Sequence, residues 1–352
     1  MMATRYLFRF TLIVLWVCLI GASFGAEWRV VFEREKWFFR SVWFVTPREG
    51  WVVGYDQAAS NGIILHTTDG GESWERVDPG IELDGVLFEV HFPSRYVGWI
   101  AGPGGSALRT TDGGRSWEMI DVEGLDLVID LHFLDSKRGW VLGSKGKGPG
   151  SKGRLLYTED GGKSWEVQWE SFELPFISLT FVDEKHGWFS ASSAFPKVYR
   201  TVDGKSWEGV KLPTEWGVKD LCFIDRMRGW GAGGGELIVS TEDGGKSWKL
   251  RHKGWIMPAL YAICFANERF GWAGGLDFSG GIILRTDDGG RRWEIDLKTP
   301  GMVRDICYTG GSSVIAVGAG MILKYTDPKL GSSIPVRPRA MRPAAWGDVK
   351  GK

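Results

Sequence analysis

The 352-residue chain lacks a net charge: 43 basic residues offset 43 acidic ones. Such a balance provides no field to gather a polyanion, so nucleic-acid binding is not expected. Cysteine is scarce, at four residues, and one of these, Cys18, lies in the first segment. The other three, Cys222, Cys264 and Cys307, are too few and odd in number for a disulfide framework. Long apolar runs are also missing. The best candidate, in "MMATRYLFRFTLIVLWVCLIGASFGA", falls short of the ~20 residues a membrane span requires. Basic residues before this run and small residues after it give the layout of a secretory signal peptide over residues 1–25, to be cleaved before Ala26. Val17 stands where a lipidated Cys18 would need a small residue before it, so lipidation is not expected. No window keeps a helical period, which argues against a helical bundle.

What the chain has in abundance is one phrase. "HTTDGGESW" from His66 returns as "RTTDGGRSW" from Arg109, "YTEDGGKSW" from Tyr157, "STEDGGKSW" from Ser240 and "RTDDGGRRW" from Arg285. "RTVDGKSW" from Arg200 is one residue short, and "KYTDPKLG" from Lys324 keeps only the aspartate. The acids are Asp69, Asp112, Asp160, Asp203, Asp243, Asp288 and Asp327, spaced 39 to 48 residues apart. Repeats of that period mark units that stabilise each other by stacking. A Gly-Trp pair precedes six of these turns (Trp51, Trp99, Trp140, Trp188, Trp230 and Trp272), and an apolar run closed by an aromatic precedes each pair. Four short extended segments per unit predict an all-β, seven-bladed β-propeller with four-stranded blades over residues 26–328. The seventh unit lacks a fourth strand. Residues 27–31 resemble one, so the N-terminal strand is expected to complete the last blade and close the ring. Residues 329–352, rich in Pro and Arg, read as a flexible basic tail.

The repeated turn needs no ligand to explain it. Asp69, Asp112, Asp160, Asp203, Asp243 and Asp288 can each accept hydrogen bonds from backbone N–H groups ahead of them, while the glycines take up positive φ, so a structural role is expected for all six. A ring of identical turns does not make a catalytic site, which needs dissimilar groups that converge. No catalytic residue, cofactor or metal is therefore assigned. His91, His132, Cys222, Cys264 and Cys307 share one repeat position, but side chains on separate radial sheets are not expected to converge on one ion. "GPGGSA" from Gly102 joins two strands and opens no helix, so a dinucleotide site is not expected there. His66, Arg109, Arg200, Arg285 and Lys324 share another repeat position and read as donors between blades.

Specificity belongs where the units differ, on the face opposite the DGG turns. There lie Trp37, Trp169, Trp216 and Trp255, the insert cations Lys145 and Lys147, and Arg40, Lys219 and Arg304 near the central mouth. Aromatics and arginines on a varied rim suit a protein partner. The alternative is that the aromatics cap the core. Glu89, Asp130, Asp220 and Asp305 are the acids available to a glycosidase, although three of them share one repeat position.

The [ST]-x-D-x-G-x-S-W turn resembles the Asp-box, or bacterial neuraminidase repeat. With the F…G-W-x-x-G…I-L-x-T frame over about residues 27 to 327, the chain resembles the photosystem II stability and assembly factor family of extracytoplasmic seven-bladed propellers. The resemblance implies a non-enzymatic scaffold that holds a membrane-complex precursor, in the periplasm, the thylakoid lumen or outside the cell. A monomer with a protein partner, a membrane-complex subunit, is the expectation; peripheral membrane association is compatible with it, and the role of the basic tail is left open. The Asp-box also resembles that of sialidases, which makes a carbohydrate-binding or glycoside-hydrolase propeller the alternative. The Arg-Ile-Pro segment expected of sialidases is missing.

Overall fold

The computed structural model describes residues 26–146, 150–172, 176–191, 196–254 and 259–332. The predicted signal segment 1–25 and residues 333–352 of the predicted 329–352 tail, together with Lys147 and Trp255, lie outside the described residues, whereas residues 329–332 of that tail belong to a short helix, Pro328–Ser332, with Leu330 buried. The sixth unit shows how each unit folds. Ala259–Phe265, Gly271–Asp277, Gly280–Thr286 and Glu294–Thr299 pair in sequence order as an antiparallel sheet. First strands of neighbouring units lie side by side around an axis, and outer strands carry exposed positions such as Met119, Leu250 and Ile295.

The expected count of seven blades is corrected: the strands form six sheets, five of four strands and one of six. The cause is continuity of the chain. Glu27–Phe44 is one strand whose first part, Glu27 to Glu33, pairs with Met321 to Thr326, and whose second part pairs with Gly50–Asp56. Ser313–Thr326 likewise pairs with Val303–Tyr308 through its first part and with the N-terminal strand through its second. The first and last sequence units thus share one sheet, through which the N-terminal segment joins the C-terminal one. Glu27 lies opposite Thr326, so the two described ends sit together on the rim of the Asp-box turns.

Between units the repeated aromatics interlock. Trp51 stacks on Phe92 of the next unit at 4.9 Å, and Trp117 meets the same ring edge-on at 6.0 Å. Trp99 on Phe133, Trp140 on Phe181, Trp188 on Phe223 and Trp230 on Phe265 repeat the stack at 3.6–4.1 Å. Burying one such indole is worth about 4–6 kcal/mol, so these stacks dominate cohesion between units. The glycine before each Trp makes room for them: a Cβ on Gly98 would stand 2.3 Å from the Phe92 ring.

The Asp-box turns are built as the sequence implies. Asp160 Oδ1 accepts from Lys163 N (2.9 Å), Ser164 N (3.0 Å) and Thr158 Oγ1 (2.9 Å), and its Oδ2 accepts from Ser164 Oγ (2.7 Å). Asp69, Asp112, Asp203, Asp243 and Asp288 accept backbone N–H bonds in the same way. The second glycine of the turn touches the preceding unit: Gly114 holds φ +80°, and a Cβ there would lie 2.1 Å from Trp51. Trp188 and Trp230 also donate to Gly244 O (3.0 Å) and Gly289 O (3.1 Å) in the next turn. Ion pairs between units line this rim, among them Arg95 with Glu49, Arg138 with Glu184 and Arg226 with Asp183.

Candidate binding site at the axial mouth

A β-bulge interrupts each first strand near its start. Pairing with the second strand skips Arg40, Ile129, Lys219, Tyr261 and Arg304. In the second unit Phe88 N and Glu89 O both bond to Ala101, which has the same effect. A bulge re-aims the side chain it carries. The partner strand accommodates it with the second glycine of G-W-x-x-G, or with Gly318 of "VIAVG" in the last unit, because a Cβ on Gly54, Gly143, Gly233, Gly275 or Gly318 would fall 1.9–2.2 Å from a carbonyl oxygen in or just before the bulged strand.

Around the axial mouth the unpaired residues form an arc. Lys219 Nζ and the Arg304 guanidinium both lie over the Tyr261 ring, at 5.5 and 5.2 Å, and Arg40 lies over Phe88 at 5.1 Å. Arg40, Lys219 and Arg304, from three different units, are half-buried. Burial, with the charge of Arg304 in support, pulls Arg40 down to about 10 against the opposing pull of Glu89. The same two causes, burial first, lower Lys219. Nε of Arg40 and Nε of Arg304 are buried and donate no hydrogen bond. Phe88, Ile129 and Ile177 continue the circuit as an apolar arc, also half-buried. The mouth is therefore cationic on one side and apolar on the other.

Three of the acids beside this arc bridge to the following unit. Asp130, Asp220 and Asp305 are buried, and their Oδ2 atoms accept from Leu179 N (2.7 Å), Ile263 N (2.8 Å) and Val42 N (2.8 Å) of the following unit. His91 and Cys264 face the next unit in the same manner, accepting from Phe133 N and Tyr308 N. Among the described residues no three metal-ligating side chains converge, and Cys222, Cys264 and Cys307 are thiols. Lys324 donates to Gly70 O (2.8 Å) and Glu72 (2.7 Å) of the first unit, and Arg285 reaches Asp327 at 3.8 Å. Arg109 and Arg200 pair with Glu118 and Glu208 in their own sheets.

The remaining expected rim residues are not gathered at the mouth. Trp37 lies within the long first strand, against Phe32 and Phe39. Trp169 lies in the outer strand Glu166–Ser171, 5.0 Å from Tyr199, and Trp216 covers Gly234 and Gly235. All three pack against core clusters. Lys145 pairs with Asp126 at 3.0 Å. Two exposed aromatics stand on the same rim: Phe172, beneath Lys152, and Phe278, which sequence reasoning missed because a lone Phe in a "DFSG" turn carries no pattern. A cleft of about 690 Å³ between the fourth and fifth units, lined by Leu212, Pro213, Trp248, Lys246 and Lys253, is separate from the mouth.

Comparisons with known proteins follow the same outline. A family profile described as photosynthesis system II assembly factor YCF48 matches residues 199–329. No curated protein matches. A solved structure of YCF48 bound to D1 peptide is 21% identical, with a TM-score of 0.69, covering 85% of this chain and 96% of that one. YCF48 from Cyanidioschyzon merolae is 20% identical, with a TM-score of 0.68 and coverage of 87% and 99%. Virginiamycin B lyase from Staphylococcus aureus, at 14% identity and a TM-score of 0.66, covers 86% of this chain and 99% of its own. Likeness at these identities is one of fold, and the fold is shared by a binding protein and an enzyme. The chain is thus an all-β propeller, similar over its last units to the YCF48 assembly factors and alike in fold to two solved YCF48 structures.

Proposed function

We propose that this protein is a non-catalytic, extracytoplasmic scaffold that binds a subunit of a membrane complex during its assembly, acting as a monomer through the axial mouth opposite the Asp-box rim. The observation that carries this reading is the convergence of Arg40, Lys219 and Arg304 beside Tyr261 and Phe88. Clustered arginine and aromatic side chains, partly withdrawn from water, are what partner-binding centres enrich. Similarity to YCF48, one solved structure of which holds a D1 peptide, supports the same direction. The glycosidase alternative has less support, because Asp130, Asp220 and Asp305 each accept a backbone N–H of the neighbouring unit.

The test is affinity capture from the host's own membranes after mild cross-linking, with wild type beside a triple variant carrying Arg40→Glu, Lys219→Glu and Arg304→Glu. Enrichment of a membrane-complex subunit by wild type alone is the expected result. Recovery of only glycan or envelope material, in equal amounts by both, would overturn the scaffold reading.

A further inference from the structure

We propose that the cleft between the fourth and fifth units is a second docking surface, for an extended segment of a partner protein in which acidic and apolar side chains alternate. The apolar side chains would enter the cleft, and the carboxylates would meet Lys211, Lys246 and Lys253. The inference goes beyond the mouth and does not depend on it.

Packing explains why the cleft is open. Seven residues after the tryptophan of the first Asp-box, Ile81 packs onto the cluster that holds Trp117 of the second unit. The same position in the fourth unit is Thr214, shorter and polar. With Pro213 and Glu215 it lines an open space of about 690 Å³ against Val210, Leu212 and Trp248, all members of one core cluster. Apolar surface is therefore left at the base of the cleft.

Charge defines the rest of the lining. Lys211, Lys246 and Lys253 are exposed and, among the described residues, form no ion pair. The acids nearby have other cations: Glu208 and Glu242 pair with Arg200 and Arg251, and Glu236 lies 3.9 Å from His252. Asp243 accepts from Ser247 N (3.0 Å) and Ser247 Oγ (2.6 Å) within its own turn. Glu215 alone stands among the lysines as a lining carboxylate.

Position then selects the shape of the occupant. Lys246 precedes the strand Lys249–His252 and Lys253 follows it, so at ~3.3 Å per residue the two lie roughly 20 Å apart. A small anion spans no such distance, whereas about six extended residues do, with alternate side chains on opposite sides. The chain's own tail is the wrong sign: Arg337, Arg339, Arg342, Lys350 and Lys352 outnumber Asp348.

Fluorescence anisotropy at low ionic strength tests this with three labelled hexapeptides of alternating sequence, Glu-Leu, Gln-Leu and Glu-Ser. Saturable binding of Glu-Leu is expected, at least about tenfold weaker for the other two, and falling as salt is raised. Reversing Lys211, Lys246 and Lys253 together to Glu should weaken it at least about tenfold, while Arg304→Gln at the mouth leaves it unchanged. The double variant Lys246→Gln with Lys253→Gln reads the same contact with less change to the surface, and should weaken binding about threefold without lowering the melting temperature. Equal binding of the three peptides, loss of binding in Arg304→Gln, or indifference to both sets of lysine variants would overturn the proposal. So would displacement of the peptide by trigalacturonate or by phosphatidylglycerol vesicles at matched charge, which would assign the cleft to a glycan or a lipid surface.

Discussion

At the scale of single residues, the repeated glycines answer to different demands. Gly114 needs both a left-handed backbone and an empty Cβ position, since Trp51 of the preceding unit would lie 2.1 Å from that atom. Gly104 has a similar φ, +70°, but nothing within 4 Å of its Cβ position. Gly114→Ala is therefore expected to destabilise by about 2–4 kcal/mol, from backbone strain and overpacking together, and Gly104→Ala by about 1 kcal/mol, from strain alone. Denaturant unfolding of the two variants checks the difference; equal losses would mean that the contact between the turn and Trp51 contributes nothing. The repeat itself made these turn glycines legible as turn formers. Their second task, seating the indole of the neighbouring unit, was not legible, because a repeat shows which residues recur but not which recurring residues touch.

The strands carry the next level. Glu27 to Glu33 closes the shared sheet by pairing with Met321 to Thr326, and around it Lys324 bridges Gly70 and Glu72 while Arg29 also pairs with Glu72. Deleting residues 27–33 would expose the edge of Ser313–Thr326 and uncover the Tyr325 ring, which packs 5.2 Å from Trp28. The expected result is loss of cooperative unfolding and a fall in melting temperature well beyond that of any exposed point variant, with recovery when a peptide of residues 26–34 is added back. A deletion variant that melts like wild type would refute closure by this strand. The closing segment was legible in the sequence because "EWRVVF" resembles the segment after each Asp-box turn. The sheet count was not, since it depends on whether the chain breaks between two half-strands, and Glu27–Phe44 runs on without a break. The bulges lay between these cases. The second glycine of G-W-x-x-G recorded them at Gly54, Gly143, Gly233 and Gly275, as did Gly318 at the end of "VIAVG" in the last unit, and these glycines could have identified Arg40, Lys219 and Arg304 as unpaired side chains on the first strands.

For the whole molecule, the recurring aspartates act in sum. Hydrogen bonds from Ser116 and Ser164, first from their side chains and then from their backbone N–H groups, hold Asp112 and Asp160 down to about 2. Asp69 and Asp203 are lowered as well; burial of Asp69 opposes the shift but is outweighed by hydrogen bonds from Ser73 and Thr67, and Asp203 is held by the N–H groups of Ser206 and Lys205. A carboxyl with a folded pKa below its unfolded value contributes stability that is fully present above the unfolded value and is lost as pH falls through the folded one. With an unfolded value of 3.8, the propeller should hold its melting temperature down to about pH 4 and lose it steeply between about pH 4 and pH 2. Replacing Asp112 and Asp160 together by Asn should lower stability at pH 7 and flatten that acid slope, as read by thermal melting across pH. An unchanged slope would place the acid-sensitive groups elsewhere.

Glu27 and Thr326 meet on the Asp-box rim, whereas the cationic mouth opens on the other. A protein coupled to a bead or a sensor chip through a cysteine placed at Glu27 would therefore stand on that rim with its mouth directed outward. Immobilisation at a cysteine placed at Phe278 would invert it, and the two orientations should differ sharply in how much soluble partner the same surface density retains.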